Sequence, residues 1–205
     1  MPSAVVKPSR RTSLPRSFPA ESLMHSAEHS DRPLAAANPF TAENVCAILR
    51  ERGWLATDAT PEQVKWGERA AAILGGHADN RAGLAGLLEL VFQYDAREII
   101  SRVESHVVLS RYAARDVIRQ VALHLLDDAP LTSERFKEIV TQMKEGMDLR
   151  GRELFHPIRL ALAGRAGEGE LDRVILLLDE ASTLLFAVLV KSARARILEF
   201  CSSMD

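Results

Sequence analysis

Five arginines, Arg150, Arg152, Arg159, Arg165 and Arg173, fall within 24 residues. A guanidinium is planar, stays charged and donates hydrogen bonds in pairs, so it suits phosphate oxygens and base edges. The same arginines can instead balance Glu153, Glu168, Glu170 and Asp172 on a solvated face. Other chemistry is poorly represented. Gly164, Gly167 and Gly169 lie in a loop, but no strand precedes them and no GK[ST] follows, so they make no phosphate cradle of the nucleotide-binding kind. His25 and His29 are an i, i+4 pair around Glu28, yet they sit in a proline-rich stretch. His77, His106 and His124 are scattered, and no Ser, Cys and His arrangement reads as an activated nucleophile. Neither a metal nor a cofactor nor a catalytic residue is expected. The inventory points to a binding module rather than an enzyme.

The elements that must position those arginines read as helices. Residues 131–173 run LTSERFKEIVTQMKEGMDLRGRELFHPIRLALAGRAGEGELDR. The order is an amphipathic helix, a basic turn, an aromatic–proline step, a short arginine helix that Pro157 is expected to start, a glycine loop and a second amphipathic helix. Thr132 or Ser133 caps the first of these, whose Phe136, Ile139, Val140 and Met143 follow the i, i+3, i+4, i+7 pattern, and Gly146 is expected to end it. Upstream, Thr41 can cap a helix that stops at Gly53. Thr60-Pro61-Glu62-Gln63 is a capping box with proline at the first helical position. Asn80 and Asp95 start two more helices, and Tyr112 to Leu126 carries another. A last helix begins at Ser192. Val188-Leu189-Val190 is the single plausible strand. The expectation is an all-α bundle or cage of about nine or ten helices.

Residues 1–37 differ in kind. They hold five of the nine prolines, seven serines and five basic residues against three acids, without apolar period. Such a segment is expected to stay disordered. Its first twenty residues lack acids, as transit peptides do, but four prolines there argue against a targeting helix. The helical part divides into an expected subdomain at 38–128 and another at 129–205. A net charge of −2 supplies no bulk positive field, so a polyanion site must be a local patch. Two cysteines, Cys46 and Cys201, are too few for a disulfide framework and point to a reducing, cytoplasmic compartment. The longest apolar runs, Ile175 to Leu178 and Leu184 to Val190, fall far short of the roughly 20 residues of a membrane span, and no membrane partner is expected.

One string is more specific than its composition. Gly151-Arg152-Glu153-Leu154-Phe155-His156-Pro157-Ile158-Arg159, then Ala161-Leu162-Ala163-Gly164, then Glu170-Leu171, resembles the end of the anticodon-binding region of glutamyl-tRNA synthetases. Lys191 to Ile197 is similar to the closing R-x-R helix of that family. The resemblance is dense over about 131–200, looser from about 60 to 130, where Trp66, Leu88, Phe92 and Tyr94-Asp95 fit, and absent before 38. It implies a helical domain that binds the anticodon loop of a tRNA, with Arg159 and Leu171 at positions that face the anticodon. Glu168-Gly169 stands where the family has a small residue and proline, and Ala163 where it has threonine. An acid there repels phosphate and a glycine loosens the turn, so altered anticodon reading is expected. Arg152 and Arg165 flank these positions, and Arg194 on the final helix adds a remote charge.

The H-x-G-H and K-M-S-K-S signatures of the family's catalytic half are missing from this sequence, so the chain by itself is not expected to activate glutamate. The resemblance implies a tRNA-binding module, with tRNA-Glu as the expected RNA and a separate synthetase catalytic chain as a candidate partner. The alternative is a helical protein-interaction module that kept the fold and lost RNA.

Overall fold

Helix starts are written in this sequence as side-chain oxygens placed just before apolar runs. The computed structural model describes residues 39–56, 58–127 and 129–205, and in it most of those oxygens act as caps. Helix α1 spans Ala42–Glu51 and α2 Pro61–Leu74, each opened by a reciprocal capping box, Thr41 with Asn44 and Thr60 with Gln63. Asn80 caps α3 (Arg81–Phe92) and Asp95 caps α4 (Ala96–Ser101). Helices α5 (Val103–Leu109) and α6 (Ala114–His124) follow. Thr132 caps α7 (Ser133–Met147). Then come α8 (Arg152–Ala163), α9 (Glu170–Ile175) and α10 (Leu178–Thr183), and Ser192 caps α11 (Ala193–Met204). A 3-10 turn at Gly75–His77 closes α2.

All described secondary structure is therefore helical, as the periodicity predicts. The eleven segments exceed nine or ten because backbone geometry splits some runs: Arg102 is extended and divides α4 from α5. The reading of 1–37 as a tail, with His25 and His29, lies outside the described residues.

Three local expectations need correction. Pro157 does not start a helix; it lies in the second turn of α8. The start is instead made by Gly151, at φ 55° and ψ −134°, a conformation open to glycine and costly for other residues. Proline there removes the donor for the carbonyl of Glu153, an exposed residue whose carbonyl solvent can serve. Gly146 does not end α7, because the left-handed stop falls two residues later, on Asp148 at φ 50°. Val188 to Val190 makes no strand. From Leu184 to Val190 the side chains do alternate between covered and exposed, with Leu185 and Leu189 outward and Val190 buried. That alternation is what imitated a strand. The segment is fastened to the bundle without a ladder: Ala187 N–H donates to Trp54 O at 2.8 Å, and Gln63 Nε2 to Leu185 O at 2.8 Å.

The described residues from 39 to 205 form one compact unit around a shared core. At one end Trp54 stacks on Phe92 at 4.9 Å, and Trp66, Phe92 and Phe186 meet edge to face at 4.9–5.6 Å. At the centre sits Arg196 of α11, fully buried. Its Nη1 donates to the carbonyls of Leu90 (2.8 Å) and Leu162 (2.9 Å), its Nη2 to Val91 O (2.5 Å) and its Nε to Lys191 O (3.2 Å). The carbonyls of Leu90, Val91 and Leu162 are last-turn carbonyls of α3 and α8, which lack partners within their own helices and carry the negative end of each helix dipole, while Lys191 lies just before α11. Tyr94 lies under the guanidinium, 4.6 Å from ring centre to Cζ, and its hydroxyl donates to Ala161 O at 2.5 Å. Burial pulls the Arg196 pKa down to about 10, so it remains charged at neutral pH. Among the described residues every buried side-chain nitrogen and oxygen has a partner.

Candidate nucleic-acid interface

The string that opens α8 places Phe155 and Arg159 one turn apart, so both project to the same side of the helix. Arg159 is buried and points back at the loop that follows. Its Nε and Nη2 donate to the two carboxylate oxygens of Asp172, at 2.7 and 2.8 Å, and its Nη1 donates to Gly167 O at 2.5 Å. The guanidinium also lies 4.9 Å from the centre of the Phe155 ring. Burial works against the cation, but the hydrogen bond and charge of Asp172, with Glu168 and Glu170, outweigh it and hold the pKa above the ordinary arginine value. Arg159 thus pins α8, the 164–169 loop and α9 together.

The loop itself is shaped by Gly164, the left-handed stop of α8 at φ 82°, whose N–H donates to Leu160 O. Leu171 is fully buried and belongs to the core. Glu168 and Gly169 are exposed on the loop, and Glu168 faces Arg152 at 3.7 Å, with both side chains largely in water. Such a pair contributes little to stability and leaves both groups available. On the far side of α8, Arg111 Nη1 donates to His156 Nδ1 at 3.1 Å. Burial, then the Arg111 charge, lowers the His156 pKa from its usual value.

Two adjoining clefts lie along this face, of about 590 and 360 Å³, and share Lys144 and Phe155. The first runs past Thr141 and Arg150 toward Gly151; the second runs past Lys137, Gly169 and Arg173. Together they form a groove between α7 and the α8–α9 corner. Arg150, Arg173 and Lys137 have no carboxylate within ion-pair distance among the described residues. Glu145 and Asp148 are the acids of the first cleft, and Asp172 of the second is engaged by Arg159.

The sequence-predicted residues do not all meet there. Gly169 lines the groove, Arg152 and Glu168 pair beside it, and Arg159 and Leu171 support it from within. Arg165 lines a different cleft, with Tyr94, Glu98 and Arg102. Arg194 lines a third, with Asp127 and Asp179. Lys137, Lys144 and Phe155 line the groove although none of them is among the site residues expected from the sequence. Their signal was present: Lys137 and Lys144 are seven apart, so they share one stripe of α7.

The sequence matches the family described as the anticodon binding domain over residues 37–185. The chain belongs to that family. The match takes in the stretch before 131, where the motif string is absent, and ends before α11. Glutamate–tRNA ligase of Geobacillus stearothermophilus is 27% identical to this anticodon-binding domain over 136 residues, 66% of this chain and 27% of the ligase. The glutamate–tRNA ligase of Exiguobacterium sibiricum is 24% identical over 137 residues, 67% of this chain and 28% of the ligase. The anticodon-binding domain therefore spans about a quarter of the length of these relatives. No solved structure matches the chain.

Proposed function

We propose that this anticodon-binding domain binds tRNA through the groove between α7 and the α8–α9 corner, with tRNA-Glu as its substrate RNA. The observation that carries the reading is the groove itself: four cations, Lys137, Lys144, Arg150 and Arg173, surround one partly exposed phenylalanine ring on a domain of this family. Anticodon loops offer unpaired bases and closely spaced phosphates, which such a surface suits. Arg152, Glu168 and Gly169 form its rim. Arg159 and Leu171 act by holding the loop in place, and Arg165 and Arg194 add longer-range charge. The functional division falls near residue 128, with 38–128 as support and 129–205 as the RNA-facing part. The relatives are ligases about four times as long as the matched segment, and in this reading the domain lends tRNA affinity in trans to a separate synthetase catalytic chain.

Filter binding of the purified chain with total tRNA at two salt concentrations tests this. Binding should weaken steeply as salt rises, because each neutralised phosphate releases counterions. No binding at low salt, or binding indifferent to salt, refutes it. A second reading has its own observations. The donors of Arg159 are engaged inside the protein, the net charge is −2, and Val103, Val107 and Tyr112 are exposed apolar groups near one another in sequence. These favour a protein-interaction module, and a folded chain deaf to tRNA would be its signature.

A further inference from the structure

The groove lining contains two phenylalanine rings of different status. Phe136 is buried, whereas Phe155 is partly exposed and stands where the two clefts meet. We propose that Phe155 is a stacking platform for one unpaired base of the bound RNA; the proposal rests on the RNA-binding reading above and names the residue that engages the base. Three features of the site argue for it.

First, the ring is held before any ligand arrives. Phe155 is fixed on α8, and the guanidinium 4.9 Å from its centre is itself locked by Asp172 and Gly167. A platform with little freedom loses little on binding. Second, the other group near the ring is replaceable. Lys144 Nζ lies 5.5 Å from the ring centre, and its side chain is exposed and has no hydrogen-bond or ion-pair partner among the described residues. A base arriving at the ring can displace the ammonium toward the phosphate attached to that nucleotide. Third, the surroundings match a nucleotide rather than an apolar ligand. Lys137 and Arg173 lie on one side of the ring and Arg150 on the other, so a backbone passing the ring meets cations before and after it. Stacking uses the π-face that every base has, so this platform tolerates any base and requires only that it be unpaired.

The test uses the full chain and two RNA probes: a hairpin carrying 2-aminopurine in its loop, and a fully paired duplex with the same number of phosphates. The hairpin should bind more tightly than the duplex, and the 2-aminopurine emission should be quenched on binding. Phe155→Leu, checked for helicity by circular dichroism, should lose about ten-fold in hairpin affinity and lose the quench. Its duplex affinity and salt slope should stay as in the parent, because no phosphate contact is removed. Phe155→Tyr should restore hairpin binding. If Phe155→Leu is folded and matches the parent in affinity and quench, the platform is refuted while RNA binding stands. If the parent binds both probes equally without a quench, the platform is again refuted, whether or not the leucine variant folds. If the parent binds neither probe, the RNA reading falls and the platform with it.

Discussion

Arg159 is the residue whose meaning changes most between sequence and structure. Its place in the motif string marks it as important, and the string says nothing about which way it points. What decides that is Asp172, thirteen residues later, a single carboxylate in the first turn of α9 that accepts both arms of the guanidinium. With 9% and 23% of their side chains exposed, the partners are mostly out of water, where removing one strands the other's charge. Asp172→Ala should therefore cost about 3 kcal/mol, and Arg159→Ala a similar amount, with a fall in Tm of roughly 6–12 °C each. The double variant should cost clearly less than the sum, since the two share one interaction. Thermal melts monitored by circular dichroism decide this; additive losses, or melting points within a degree of the parent, would show that the pair does not brace the loop. The contact of Lys144 with Phe155 is illegible in the sequence for a related reason. One sits on α7 and the other on α8, and only packing brings them together.

At the scale of elements, most helix starts could be read directly, because capping is local chemistry. Thr41, Thr60, Asn80, Asp95, Thr132 and Ser192 each accept the backbone N–H three residues on. Helix ends and interiors were less legible where long-range partners intervene. Arg194 and Arg196 look equivalent in an R-x-R motif. Two residues along a helix turn the side chain by about 200°, so one faces water and the other the centre of the bundle. Arg196 ties the ends of α3 and α8 to α11 through their carbonyls, and no residue of similar size can replace all those donors. Arg196→Met fills much of the volume but leaves several buried carbonyls unsatisfied, at about 1–3 kcal/mol each. It should leave the chain unfolded or without cooperative melting at 25 °C, whereas the neighbouring Arg194→Ala should melt within a few degrees of the parent. A cooperative, near-parental denaturation curve for Arg196→Met would contradict this account of the core.

For the whole molecule, the all-α class follows from period and capping alone, but the groove required the third dimension. A charge of −2 overall coexists with a cationic face because acids elsewhere, such as Glu98 and Glu51, pair with their own arginines. Because residues 1–205 carry neither the H-x-G-H nor the K-M-S-K-S signature, this polypeptide should not catalyse glutamate-dependent exchange of pyrophosphate into ATP, with or without tRNA. Exchange above background, from a preparation free of host synthetase, would overturn that expectation. The aromatic seam has a practical corollary. Both tryptophans of the chain, Trp54 and Trp66, are buried against Phe92, Trp66 also meets Phe186, and neither lines the groove. Intrinsic emission excited at the indole band is thus a blue-shifted gauge of one joint only, where the 184–190 segment seals the bundle. A titrant that changes that signal has loosened or tightened the joint from a distance, and a titrant that merely fills the groove will pass unseen.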